Sequence, residues 1–139
     1  MGLLRKTALF TLGGAAYVSL ELLWRGRSHS SMFLAGGCSF VLLGNLRKQL
    51  ERLPLPFRGL ACSGIITAVE LAVGLIFNRD FQIWDYRGLP LNFLGQICLP
   101  FSALWFLLGL GAMEIYRRAD QSLSRIASSL SKSSSRKPA

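Results

Sequence analysis

Acidic side chains are scarce in this chain. Seven Asp and Glu stand against sixteen Lys and Arg in 139 residues, with a single histidine. That residue, His29, has no neighbouring Cys, His or carboxylate cluster, and one imidazole alone makes a poor metal ligand. Cysteine is equally sparse. Cys38, Cys62 and Cys98 fall one to a segment with no C-x-x-C, so they read as small apolar packers and not as a disulfide framework. The phosphate-cradling pattern G-x-x-x-x-G-K-[ST] is missing, which excludes ATP hydrolysis by the P-loop route. G-x-S-x-G and H-E-x-x-H are missing too, and no nucleophile–base arrangement replaces them, so no catalytic residue, metal or cofactor is expected. The net charge of +9 comes without a nucleic-acid recognition motif, and no nucleic-acid partner is expected either.

What the chain has is apolar length. It is 51% hydrophobic and 17% charged, with a mean hydropathy of +0.39, which places it among polytopic membrane proteins. Spanning about 30 Å of hydrocarbon at about 1.5 Å per residue takes roughly 20 residues of helix. Four segments approach that length: 7–24, 31–46, 59–77 and 92–116. The second is short enough that a re-entrant segment is its alternative. Arg5 and Lys6 resemble the charged start of a leader, but no A-x-A-like site follows, and Glu21 with Trp24 and Arg25 occupies the position of cleavage. The expected fold is therefore all-α, with four transmembrane helices in two tandem hairpins over residues 1–116 and a basic tail over 117–139.

The distribution of basic residues predicts the orientation. Twelve lie before the first segment, between the second and third, or after the fourth, whereas only Arg25, Arg27, Arg79 and Arg87 lie on the other side. The positive-inside rule then places both termini in the cytoplasm and the 78–91 loop outside, and an anionic inner leaflet accounts for the basic excess. In the tail, Leu123, Ile126, Ala127 and Leu130 recur at helical spacing among cationic residues, predicting a short amphipathic helix on the inner surface. Residues 131–139, rich in Ser and Lys, are expected to be disordered. Pro54 and Pro56 mark the linker between the halves.

Chemistry concentrates in a few places. Glu70 falls roughly 10 Å below the interface by helical rise, where a carboxylate has to be paired, protonated or solvated by a cavity. Ser63, Thr67, Glu70 and Gly74 share one helical face, and Gly64, Ala68 and Ala72 form a small-residue face almost opposite, suited to helix packing. Glu70 either lines a pathway or ties helices together. Glu21 is shallower, with Tyr17 one turn behind to hydrogen-bond it and Arg25 one turn ahead to neutralise it. Each half carries a Glu-Leu pair, Glu21-Leu22 and Glu70-Leu71, so the halves read as a parallel repeat in which the two carboxylates converge on a site for a cation or proton. Trp24, Trp84 and Tyr86 suit the headgroup belt. Asp85 sits between aromatics with Arg79 and Arg87 near enough to pair and pin the loop. Asn92 is expected to cap the fourth helix, with Gln96 one turn inside and Pro100 kinking it by freeing the Gln96 carbonyl.

The run WDYRGLPLNFLGQICLPFSALW from Trp84 to Trp105, with Glu70-Leu71 upstream, carries a resemblance. So do ELLWRG from Glu21 to Gly26, His29, Ser31-Met32 and Gly36-Gly37. Together these resemble a family of small bacterial membrane proteins labelled type-IV ABC-transporter permeases, CmpB-like, over roughly residues 15–108. The resemblance implies a transport protein of a bacterial cytoplasmic membrane, and if ATP drives it a separate ATPase subunit must dock on the cytoplasmic side. Because four short helices wall off little of a pathway, a homo-oligomer is expected. The alternative is a membrane scaffold or envelope-associated regulator that binds a partner through Trp84–Arg87. A small proton-coupled exporter is a third reading, less suited to two carboxylates and an elaborate loop.

Overall fold

A computed structural model describes residues 2–136, which are mostly helical. Helix α1 covers Gly2–Arg25, α2 Ser30–Asn45, the single turn α3 Arg47–Leu50, α4 Leu55–Phe77 and α5 Leu99–Ser135; between α4 and α5 lie two short strands, β1 (Asn92–Phe93) and β2 (Ile97–Cys98). Three of the helices, α1, α4 and α5, are long and apolar enough to cross a membrane, while α2 is apolar but shorter. The chain is thus a membrane protein by the length and composition of its helices.

Local chemistry sets the helix ends. Gly26 takes φ +72° and donates its N–H to the Leu22 carbonyl over 3.0 Å, an αL stop for α1 that a side chain would strain. His29 then caps α2, its Nδ1 accepting from the Ser31 N–H at 3.1 Å. Here the lone histidine has a helix-capping role that its residue type did not advertise. Pro54 precedes α4 and Pro56 lies in its first turn, where the missing N–H costs no hydrogen bond. Arg58 reaches back to the carbonyls of Glu51 and Leu53 at 3.0 and 3.2 Å, so a basic residue expected only to orient the chain also closes the α3–α4 corner.

Helix α1 packs on α2 and α4 on α5, with α2 also touching α4 and α5. The α1–α2 approach is close: a methyl at Gly13 would overlap the Phe40 side chain, and one at Gly36 would overlap Tyr17. Three buried clusters fill the interior. One contains Met32, Val73, Trp84, Tyr86 and Cys98, a second Leu43, Leu50, Cys62 and Met113, and a third Leu9, Phe40 and Tyr116. Arg5 of α1 joins Asp120 of α5, its Nε 2.6 Å from Oδ1.

Two expectations are corrected. The fourth apolar segment does not begin its helix at 92. Residues 92–98 instead form a hairpin, with Asn92 opposite Cys98 and Phe93 opposite Ile97. Leu94 and Gly95 at its tip take φ +56° and +65°, and the Gln96 N–H bonds the Phe93 carbonyl at 3.1 Å, a turn of the I′ kind. Pro100 accordingly sits in the first turn of α5, so it breaks no helical ladder and frees no Gln96 carbonyl. The tail is corrected as well. Helix α5 runs unbroken through residue 116 to Ser135, about 55 Å at helical rise, with Ala119 and Leu123 packed on the third cluster. It is neither a separate surface helix nor disordered over 131–135; residues 137–139 lie outside the described residues.

Candidate functional site

The stripe of polar residues on α4 faces α5 and the connection between them, and each member finds a partner there. Ser63 Oγ donates to the Ser102 carbonyl at 2.6 Å, and Thr67 Oγ1 lies 2.9 Å from Ser102 Oγ. One turn further along, Glu70 is 5% exposed, and both its oxygens are hydrogen-bonded: Tyr86 Oη donates to Oε1 at 2.7 Å and Trp105 Nε1 to Oε2 at 3.0 Å. No cation among the described residues forms a salt bridge with it. Two neutral dipoles orient the carboxyl, and no basic side chain among the described residues pairs with it.

The 78–98 connection is built to deliver Tyr86 to that position. Asn78, 1% exposed at the end of α4, uses its amide on both sides. Its Oδ1 accepts from the N–H groups of Ile83 and Trp84, and its Nδ2 donates to the Trp84 carbonyl at 2.6 Å and to Gln96 Oε1 at 2.9 Å. Gln96 answers with Nε2 to the Asn78 carbonyl at 3.0 Å, while Trp84 Nε1 donates to the Gln96 carbonyl at 2.9 Å. Every polar atom of this buried set is matched, as a low-dielectric interior demands. Tyr86 is then stacked on Phe101, with ring centroids 4.7 Å apart and planes inclined by 13°.

Phe81, Leu91 and Leu94 all take positive φ within this one connection. Such conformations cost of order 1 kcal/mol or more each and persist only where the surroundings over-determine them. The amide pair at Asn78 and Gln96 provides that constraint. At the exposed rim, Asp85 forms a bidentate pair with Arg87 at 2.9 and 2.7 Å, and the Arg87 guanidinium lies 4.2 Å from the Phe81 ring centre. Hydrogen bonds from Arg87 hold the Asp85 carboxyl down at about 2. Asn92 accepts from the Gly95 N–H and donates to the carbonyls of Arg87 and Leu89, so it clamps the loop and does not cap α5.

Trp84 and Tyr86, read from the sequence as belt residues, are buried at 3% and 8% exposure, whereas Trp24 is exposed at the end of α1. Arg79 bonds the Leu75 carbonyl and leaves Asp85 to Arg87. Glu21 takes Arg25 as its partner, with Nε 2.6 Å from Oε2, and Arg25 also donates to the Ile83 carbonyl at 3.1 Å, fastening α1 to the connection. Tyr17 turns its ring towards Trp105, centroids 5.9 Å apart. Gly64, Ala68 and Ala72 are exposed, and among the described residues nothing lies within 4 Å of a Cβ added at Gly64.

Between α1 and α5, above α2, lies a groove of about 230 Å³. Its walls are apolar, with Leu12, Leu20, Leu107 and Ile115 among them, and its inner part is formed by Tyr17, Glu70, Trp84 and Trp105. Glu70 supplies the groove's only ionisable carboxylate. Thus Glu70 and Tyr17 come together, while Thr67 and Gln96 are engaged elsewhere, in the α4–α5 seam and the loop. Sequence reasoning did not single out Asn78, Ser102 or Trp105 as partners. Trp105 lay within the signature run, but its distance of thirty-five positions from Glu70 concealed the contact.

No curated protein and no solved structure matches the chain. Residues 16–135 match a protein family; the match takes in the last part of α1, helices α2 to α5 and the connection between α4 and α5. The chain belongs to that family, ABC_trans_CmpB, described as Putative ABC-transporter type IV.

Proposed function

We propose that this chain is a permease-like transport subunit of a bacterial cytoplasmic membrane, with Glu70 as the carboxylate of its pathway. The observation that carries the reading is the pairing of a buried carboxylate lacking a cationic partner with an apolar groove that reaches it. A residue whose task was only to tie helices together would not need access to a cavity. Under this reading α1 and α2 form one hairpin and α4 and α5 a second, giving four crossings, with both termini in the cytoplasm and the 78–98 connection outside. The twelve basic residues at one end against four at the other support that orientation. Glu21, paired with Arg25, serves the assembly of the outer end more than the pathway. The unfilled face of Gly64, Ala68 and Ala72 suits a second copy, and energy comes from a separate ATPase on the cytoplasmic side.

The test is affinity purification of the detergent-solubilised protein through a tag on the C-terminal tail, followed by mass spectrometry. A P-loop ATPase recovered in stoichiometric amount is the expected result. Recovery of this chain alone would overturn the ATP-driven reading. Topology is checked separately, because a reporter fused after the last residue must read cytoplasmic.

A further inference from the structure

We propose that the groove between α1 and α5 binds a hydrophobic organic cation, its apolar body along the helix faces and its positive centre against the Glu70 carboxylate. This deepens the reading of Glu70 as the pathway carboxylate and rests on it. Three features select the ligand. The groove is apolar along its length, so it rejects small hydrated ions, which would lose their water without replacement. Among the described residues that line it, the one acidic group is Glu70, held by a tyrosine hydroxyl and an indole N–H with no basic side chain paired to it, so the complementary partner is positive. The inner wall carries Tyr17, Trp84 and Trp105, whose ring faces attract a quaternary or protonated amine. A neutral acyl chain would satisfy the walls but leave the carboxylate unanswered, and an organic anion would be repelled.

The opening lies among exposed residues of α1 and α5, including Leu12, Leu20, Leu107 and Gly111, on helices apolar enough to cross a membrane. A cation partitioned into the bilayer can therefore enter from the side. Gly111 provides an independent handle, since it lines the groove and a Cβ added there meets nothing within 4 Å.

The experiment is equilibrium binding of benzyltrimethylammonium to the full-length protein in nanodiscs of zwitterionic lipid, with phenylmethanesulfonate as the anionic counterpart. Saturable binding of the cation and none of the anion is expected. Glu70→Gln should weaken the cation by about tenfold or more, the loss of one desolvated charge pair, whereas Asp85→Asn, which changes an exposed carboxylate outside the groove, should leave it unaltered. Gly111→Phe should block binding while the melting temperature stays near that of the unmodified protein, which keeps the test meaningful if Glu70→Gln folds poorly. Equal binding of cation and anion, unchanged affinity in Glu70→Gln and Gly111→Phe, or no saturable binding would each overturn the proposal. Loss of cation binding with an ATPase still recovered would remove only this inference, and cation binding without an ATPase would remove only the ATP-driven reading.

Discussion

Tyr86 donates its hydroxyl to Glu70 over 2.7 Å, so a loop residue sixteen positions away determines where a buried carboxylate points. The second oxygen depends in the same way on Trp105 of α5. A hydrogen bond to a charged group contributes about 1.5–3 kcal/mol, against an average of about 0.6 kcal/mol for polar contacts between membrane helices. The larger figure applies to Glu70 in its ionised form, when both donors answer a full charge. Tyr86→Phe and Trp105→Phe should each destabilise the protein by about 2 kcal/mol, and together by less than the sum once Glu70 is already Gln. Unfolding of the original, the two single variants, Glu70→Gln and the triple variant in mixed micelles of increasing denaturing detergent measures this. A Tyr86→Phe protein as stable as the original would mean that the carboxylate does not rely on the loop.

Asn78 and Gln96 exchange two hydrogen bonds across the connection, at 2.9 and 3.0 Å, and both are buried. Removing the Asn78 amide leaves Gln96 Oε1 without its donor, at about 1–3 kcal/mol for an unsatisfied buried group, whereas removing that of Gln96 leaves Asn78 Nδ2 on the Trp84 carbonyl and the Asn78 carbonyl on the Phe81 N–H. Asn78→Ala should therefore cost more than Gln96→Ala, because Asn78 also holds the N–H groups of Ile83 and Trp84. The expected readout is faster proteolysis within residues 79–95 for both variants, with Asn78→Ala the faster. Comparable resistance in all three proteins would place the constraint on the positive-φ residues elsewhere.

The helices were legible because their signal is local. Apolar length and the proline and glycine punctuation located α1, α2 and α4 to within a few residues. The start of the last helix was not, because Phe93, Leu94, Ile97 and Cys98 run into the apolar stretch that follows, and only the backbone signs of Leu94 and Gly95 distinguish a hairpin. Glu70 stood out as a carboxylate in an apolar run. Its partners did not, since Tyr86 and Trp105 reach it through tertiary packing, and an aromatic beside a membrane reads by default as an interfacial anchor. The members of the polar stripe serve different ends: Ser63 and Thr67 bind Ser102, and Glu70 meets the loop and groove.

Asp85 and Arg87 report on the connection from its exposed side. The side-chain and backbone hydrogen bonds from Arg87 lower the Asp85 carboxyl from 3.8 to about 2. A depressed folded value means that the stabilising pair is fully present above pH 3.8 and is lost as the pH falls towards about 2. A carboxyl-carbon titration in micelles should give Asp85 a midpoint near 2, and Arg87→Ala should return it to the ordinary aspartate range. A midpoint near 3.8 in the original protein would show that the pair does not persist in solution.

Gly109 and Gly64 separate packing within the chain from packing between chains. A methyl at Gly109 on α5 would run into the Cys62 side chain on α4, at a seam whose backbones cannot part without disturbing Ser63 and Thr67 on Ser102. Gly109→Ala should therefore destabilise, with overpacking in a filled interior costing about 1–3 kcal/mol. At Gly64 nothing lies within 4 Å, and alanine is the better helix former by about 1 kcal/mol. Within a single chain, Gly64→Ala is expected to be neutral or stabilising. If the Gly64, Ala68 and Ala72 face receives a second copy, Gly64→Leu should shift the sedimentation-derived mass towards the monomer while leaving the unfolding of the monomer unaffected, because bulk there blocks only an approach from outside. An unchanged mass in a demonstrably oligomeric sample would move the interface to another face, and a loss of monomer stability would mean that α4 packs differently from the arrangement described.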